Sequence, residues 1–185
     1  MSSNFHKEIE VKARLKSFSQ IKANLEKLGC VFSSEIIQKD TNYINKESTF
    51  PYITPGCQAL RIREEGDKVI LTFKESVDNE LDKIEREVLV SDKGQMEDII
   101  KMVGFLFSNT ISKKRIKTTY KGMEVCLDSV ENLGDFIEIE KLTDEDDGEK
   151  VQEELMLMLE ELGVSRDDRV FKGYDTLLAT EKATI

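Results

Sequence analysis

Hydrophobic and polar residues alternate with a period of two through much of this chain, and short stretches of helical period interrupt that alternation. Residues 5–15 alternate and predict a strand: Glu8, Glu10 and Lys12 share one face, Ile9 and Val11 the other. A helix follows, capped by Ser17 or Ser19, with Ile21, Leu25 and Leu28 at helical spacing and Gly29 as its stop. Residues 30–45 read as extended, and Lys46 to Gly56, with Pro51 and Pro55-Gly56, as a loop. Three more strands are predicted at Ala59–Glu64, Lys68–Glu75 and Lys83–Val90, with a hairpin turn near Glu65-Gly66-Asp67 and a longer connection from Val77 to Asp82. Ser91 caps a second helix with Met96, Ile99, Ile100 and Val103 inward and Gly104 as its stop.

The second half repeats this outline. Strands are predicted at 108–120, 122–130 and 134–142, with turns at Lys121-Gly122 and near Asn132-Leu133-Gly134. The acidic run Asp144 to Glu149 sits at a helix amino end, where the dipole favours negative charge. That helix carries Val151, Leu155, Met158, Leu159 and Leu162 as a core face and ends at Gly163. Residues 164–185 read as a short extended or turn segment and a polar tail. No linker divides the chain, so the expectation is a single domain over residues 1–185.

Sorting the strands by parity isolates a charged face. Arg61 and Arg63 lie opposite Leu60 and Ile62; Thr72 and Lys74 lie opposite Leu71 and Phe73. Glu85 and Glu87 share a face, as do Lys113, Arg115 and Lys117, and so do Glu124, Cys126 and Asp128. Glu138 and Glu140 lie together opposite Ile137 and Ile139, echoing Glu8 and Glu10. Two readings follow. One is an antiparallel sheet with its charged face in water and its apolar face under helices. The other closes the sheet with the charges inward, where carboxylates suit a hard divalent cation and arginines suit phosphate oxygens.

Composition narrows the choice. The 185 residues are 39% hydrophobic and 35% charged, enough for a real core. A formal net charge of −10 argues against a nucleic-acid binder that relies on overall positive charge, without excluding a local basic pocket. The three cysteines, Cys30, Cys57 and Cys126, are far apart and suggest neither zinc nor a disulfide framework. No apolar run approaches membrane-spanning length, so a cytoplasmic protein without a membrane partner is expected. His6, the only histidine, reads as a terminal surface residue.

The segments Glu8-Ile9-Glu10-Val11-Lys12, Ala59-Leu60-Arg61-Ile62-Arg63, Leu71-Thr72-Phe73-Lys74, Glu85-Arg86-Glu87, Lys113-Lys114-Arg115, Cys126-Leu127-Asp128-Ser129-Val130 and Leu133 through Glu140 occur in order. Together they resemble the CYTH superfamily, the triphosphate tunnel metalloenzymes, with the CyaB-type class IV adenylate cyclases as the closest subgroup. The resemblance runs from about Glu8 to Tyr174. It implies an α+β fold: a closed eight-stranded antiparallel β-barrel, the triphosphate tunnel, with helices packed outside. It further implies Mg²⁺ or Mn²⁺ held by Glu8, Glu10, Glu138 and Glu140, with Asp128 as a further ligand. Lys12, Arg61, Arg63, Lys74, Lys113 and Arg115 would grip the triphosphate. Lys117 aligns with them, and Glu85 and Glu87 would orient substrate or metal. Asp40 and Tyr43 fall where the family carries an Asp and an aromatic pair, here reduced to Asn42-Tyr43. The reaction implied is cyclisation of ATP to cyclic AMP and pyrophosphate. Hydrolysis of inorganic or thiamine triphosphate, or ligand binding without turnover, are the alternatives. Family members also form homodimers.

Overall fold

The computed structural model describes residues 7–46, 55–144 and 147–182. The fold class is the expected one, a closed eight-stranded antiparallel β-barrel, accompanied among the described residues by a short ninth strand and four helices. The strands are β1 (Lys7–Arg14), β2 (Ile36–Asn45), β3 (Gln58–Glu65), β4 (Lys68–Ser76), β5 (Asp82–Leu89), β6 (Phe105–Tyr120), β7 (Met123–Val130), β8 (Gly134–Thr143) and β9 (Arg169–Val170). The helices are α1 (Phe18–Lys27), α2 (Lys93–Met102), α3 (Gly148–Glu161) and α4 (Tyr174–Lys182). His6, residues 47–54 of the expected loop and residues 145–146 of the acidic run lie outside the described residues.

The chain forms two compact units. The first comprises the described residues up to Ile36 together with Lys113–Phe171. Here β1 pairs with β8, β8 with β7, and β7 with the second half of β6, all antiparallel. One side of these strands is apolar: Ile9, Val11, Ala13, Val125, Leu127, Ile137 and Ile139 are all fully buried. Against them pack Ile21 and Leu25 of α1 and Val151, Leu155, Met156 and Leu159 of α3. Each such aliphatic side chain contributes about 1.5–3 kcal/mol by leaving water, so the apolar parity of the strands fixes which side the helices cover. The Ser17 hydroxyl caps α1 by accepting from the Gln20 N–H, and the Asp147 carboxylate caps α3 by accepting from the Lys150 N–H. Lys121 and Gly122, both at positive φ, make the tight β6–β7 turn whose twist suits a two-residue hairpin.

The second unit comprises Ile37–Ser112 and the described residues from Lys172. The hairpins β2–β3, β3–β4 and β4–β5 are antiparallel and in the expected parity. Its core is Tyr43, Ile62 and Ile100, with Leu60, Val69, Leu71, Met96 and Phe105 packed against it.

Several expectations need correction. Asp92 rather than Ser91 caps α2, its extended backbone placing the carboxylate to accept from the Gln95 N–H. Ile99 and Val103 face outward, at 50% and 64% exposure, because the buried stripe of α2 is the i, i+4 pair Met96 and Ile100. Leu28 likewise sits at a helix end, exposed. Strand β6 begins at Phe105, three residues before the predicted start, and regular pairing in β2 begins only at Ile36. The polar tail is a helix, α4. Its amino end is fixed from outside: the Gly173 N–H donates to Glu80 Oε2 at 2.8 Å, and Asn109 Nδ2 donates to the Asp175 carbonyl at 2.9 Å. Burial pushes the Glu80 carboxyl up in spite of the bond from Gly173. Its buried positions include Thr176, which apolar periodicity does not register.

Candidate active site

In the first unit, strand register stacks the charged residues into rows. Glu10 lies opposite Glu140, and Glu140 opposite Glu124; Lys12 lies opposite Glu138, Glu138 opposite Cys126, and Cys126 opposite Lys117; Arg115 lies opposite Asp128. This face is not in water. Lys12, Lys113, Arg115, Asp128 and Glu138 are each at most 5% exposed. The solvated-sheet reading of the sequence fails here, because both faces of these strands are covered.

Burying charge is costly unless every charge finds partners. Arg115 meets Asp128 with both arms of its fork, Nε to Oδ1 at 2.6 Å and Nη2 to Oδ2 at 2.5 Å, and also donates to Glu138. Its Nη1 lies 3.7 Å from Glu140 Oε1. Lys113 pairs with Asp128 and Lys12 with Glu138, each at 3.0 Å, and Lys12 reaches Glu10 at 3.4 Å. Lys117 pairs with Glu124 at 2.7 Å. Burial works against the Arg115 charge, yet Asp128 and Glu138 hold its pKa well above the ordinary value. Burial would likewise raise Glu138, but Lys12, Arg115 and Lys113 hold it well below the usual carboxylate range. Asp128 is lowered in the same way, burial being overcome by Lys113 and Arg115.

Glu140 behaves differently. Burial raises it, Arg115 only partly opposes this, and Glu8, Glu138 and Glu10 raise it further, so its carboxyl is pushed up to about 8. Glu8, Glu10 and Glu140 each bring a ligand atom within 4.8 Å of the others. Three hard oxygen donors in a place that disfavours a third negative charge fit a divalent cation, whose charge would relieve the repulsion. Glu124, Cys126 and Glu140 meet the same distance limit, but burial pushes the Cys126 thiol up and keeps it protonated, a poor ligand for a hard ion. The five carboxylates expected to hold metal thus divide: Glu8, Glu10 and Glu140 gather, while Asp128 and Glu138 are engaged by cations.

The second unit carries the remaining expected residues on its own charged face. Arg63 grips Asp40 in a fork, Nε to Oδ1 and Nη2 to Oδ2, both at 2.8 Å. Arg61 Nη2 donates to Thr72 Oγ1 at 3.0 Å and Glu87 Oε1 at 3.1 Å, and lies 4.0 Å from Glu85 Oε2. Lys74 pairs with Glu85. Burial would raise Glu85, but Lys74, Arg61 and Lys83 bring its carboxyl down to about 2. Thr72, fully buried, bridges Arg61 and Glu87; it is a member of this polar cluster that charge counting passes over, although it shares parity with Lys74. Asp40 takes the orienting role toward Arg63, a partnership visible in sequence only as alternation along β2.

The sequence model of the CYTH domain matches residues 6–174. A curated relative from Methanocaldococcus jannaschii, named "Putative adenylate cyclase", is 32% identical over 170 residues, 90% of this chain and 95% of its own length. Among solved structures, the PH1819 protein of Pyrococcus horikoshii has a TM-score of 0.77 at 28% identity, covering 94% of this chain and 99% of its own. A protein of Hippeastrum, described as a "putative adenylyl cyclase" with a dominant triphosphatase activity, has a TM-score of 0.60 at 17% identity, with 96% of each chain covered, and shares the fold. With its motifs in order along the strands and the family match spanning nearly the whole chain, this protein belongs to the CYTH domain family.

Proposed function

We propose that this protein is a metal-dependent phosphoryl-transfer enzyme acting on a triphosphate, and that its reaction is the cyclisation of ATP to cyclic AMP and pyrophosphate. The observation that carries the reading is the buried charged face of the first unit, where Glu8, Glu10 and Glu140 gather beside Arg115, Lys12 and Lys113. Mg²⁺ or Mn²⁺ held by Glu8, Glu10 and Glu140 supplies Lewis-acid polarisation of phosphoryl oxygens. Asp128 and Glu138 hold the Arg115 and Lys12 heads in place before substrate arrives, so little reorganisation is needed when charge develops on the leaving group. Lys113 completes that cationic set, and Lys117 extends it along β6. In the second unit, Arg61, Arg63 and Lys74 are the phosphate-gripping groups, kept oriented by Glu87, Asp40 and Glu85. Ligand-free, these carboxylates neutralise the cations; substrate oxygens take their place on the guanidinium and ammonium groups.

Cyclisation is preferred because the Methanocaldococcus relative carries that name at 32% identity. Hydrolysis is the second reading, favoured by the description of the Hippeastrum protein. The two differ in which phosphorus meets the nucleophile, the ribose 3′ hydroxyl at the α position or water at the γ position. Purified protein with Mg²⁺ or Mn²⁺ is offered ATP, tripolyphosphate and thiamine triphosphate in parallel. Cyclic AMP with pyrophosphate supports the cyclase, whereas orthophosphate alone moves the enzyme to the phosphohydrolases. Absence of metal-dependent turnover with any of the three leaves a binding module and overturns the enzyme reading. Glu10→Gln and Arg63→Ala are each expected to lower kcat/KM at least a hundredfold while the thermal transition stays cooperative, since strand partners remain.

A further inference from the structure

Gln152 is a polar side chain in an apolar setting. It stands on α3 beside Val151, Leu155 and Met156, which pack on the apolar side of the first unit's strands, and it is itself buried. A buried amide costs free energy unless its polar atoms find partners. Both ends of this one do. Nε2 donates to the main-chain carbonyl of Glu10 at 3.2 Å, and Oε1 accepts from Arg169 Nη2 at 3.4 Å. A carbonyl only accepts and a guanidinium only donates, so the amide has a single orientation.

The contact falls where β9 no longer reaches β1. Strand β8 pairs with β1 from Lys7 to Arg14. Strand β9 pairs with it at Lys12 and Ala13, and its two residues end there. Glu10 lies two positions before Lys12, and its carbonyl takes a side-chain donor from α3. Arg169 is held in turn, opposite Ala13 in the ladder and with its guanidinium carbon 4.4 Å from the centre of the Phe171 ring.

What this hold does follows from what Glu10 carries. Its carboxylate stands with those of Glu8 and Glu140, the trio suited to a divalent cation. The Lys12 ammonium lies 3.4 Å from it, a long pair that orients it weakly. Oxygens around such an ion must keep their distances to within about 0.2 Å, and a turn of the Glu10 peptide plane would swing its side chain further than that. Resting on the metal-dependent reading above, we infer that Gln152 is the positioning residue for the Glu10 carboxylate, with Arg169 setting the orientation of its amide. The cation site is then built by α3 and β9 as well as by the strands that supply its ligands.

Mn²⁺ alone, titrated by calorimetry and by loss of the free-ion paramagnetic resonance signal, reads the site without turnover. The proteins are the unmodified one, Gln152→Met, Arg169→Met, the double variant, and Leu155→Ala as a control that disturbs the same helix without touching Glu10. Hydrogen-bond partners behind a metal ligand govern affinity at the level of ten- to hundredfold, so Gln152→Met is expected to weaken Mn²⁺ binding about tenfold. Arg169→Met weakens it less, by freeing the amide to turn over, although removing a positive charge would by itself strengthen it. In the Gln152→Met background that loss disappears, because the two residues act through one bond. Leu155→Ala lowers the thermal midpoint and leaves Mn²⁺ affinity unchanged. An equal loss from Leu155→Ala and Gln152→Met overturns the inference, since both would then act through packing. Should Gln152→Met not fold, Arg169→Met decides: tighter Mn²⁺ binding overturns the inference, weaker binding upholds it. Mn²⁺ binding that Gln152→Met leaves unchanged sinks this inference alone; no Mn²⁺ binding by the unmodified protein sinks the metal reading with it.

Discussion

Replacing Arg115 with leucine tests the electrostatic logic of the first unit. Its guanidinium is 5% exposed and touches three carboxylates: Asp128 through a fork, Glu138, and Glu140 at 3.7 Å. With Arg115 present, three cations (Lys12, Lys113 and Arg115) face Glu10, Asp128, Glu138 and Glu140; without it, two cations face the same four acids. Asp128 keeps Lys113 and Glu138 keeps Lys12, so those pairs survive in part. Removing one member of a buried ion pair costs about 3–5 kcal/mol, largely for the charges it strands. For a chain of this size that corresponds to a fall in Tm of roughly 6–20 °C. Asp128→Asn in the same background lowers the excess of acids over cations from two to one and is expected to restore about 1–2 kcal/mol, although alone it destabilises. Urea unfolding of the four proteins, metal-free and followed by circular dichroism, gives the cycle. A loss under about 1 kcal/mol for Arg115→Leu, or strict additivity with Asp128→Asn, would refute the argument, because it would mean these charges are solvated rather than mutually dependent.

Two further predictions concern the second unit and the core. Glu85, brought down to about 2 by Lys74, Arg61 and Lys83 against the effect of burial, has a folded pKa below its unfolded value. Its stabilisation is therefore present above the ordinary carboxylate range and lost as pH falls toward 2, amounting to at most about 3 kcal/mol. Glu85→Gln should show a smaller loss of urea midpoint between about pH 5 and about pH 3 than the unmodified protein; parallel losses would show that Glu85 is not the linked group. Leu155→Ala, at a fully packed site between α3 and the strands, should cost about 2–5 kcal/mol with no change in substrate preference, read from thermal unfolding and the ATP to tripolyphosphate rate ratio.

Much of the protein is legible in its alternation. The period of two fixed the parity of β1, β3, β4, β7 and β8, and with it which residues of each strand could meet chemistry. The caps at Ser17 and Asp147 and the stops at Gly29, Gly104 and Gly163 follow from local hydrogen bonding and positive φ, which depend on near neighbours only. Helix α4 escaped because its start is fixed by Glu80, more than ninety residues earlier, and its buried face includes a threonine. The outward turn of Ile99 and Val103 escaped because periodicity names an apolar stripe without saying what covers it.

Parity alone determined that Glu8, Glu10, Glu138 and Glu140 stand on faces of two strands. Only the tertiary structure decided that Glu10 lies opposite Glu140 and Lys12 opposite Glu138, because register is a property of paired strands. From that pairing comes the division of labour between a carboxylate trio suited to a cation and carboxylates already committed to Arg115 and Lys12. Whether a charged face is solvated or buried depends on what closes over it, and electrostatics differ between those cases by several kcal/mol per ion. A single chain's pattern carries the charges; their dielectric and their neighbours are set by the fold.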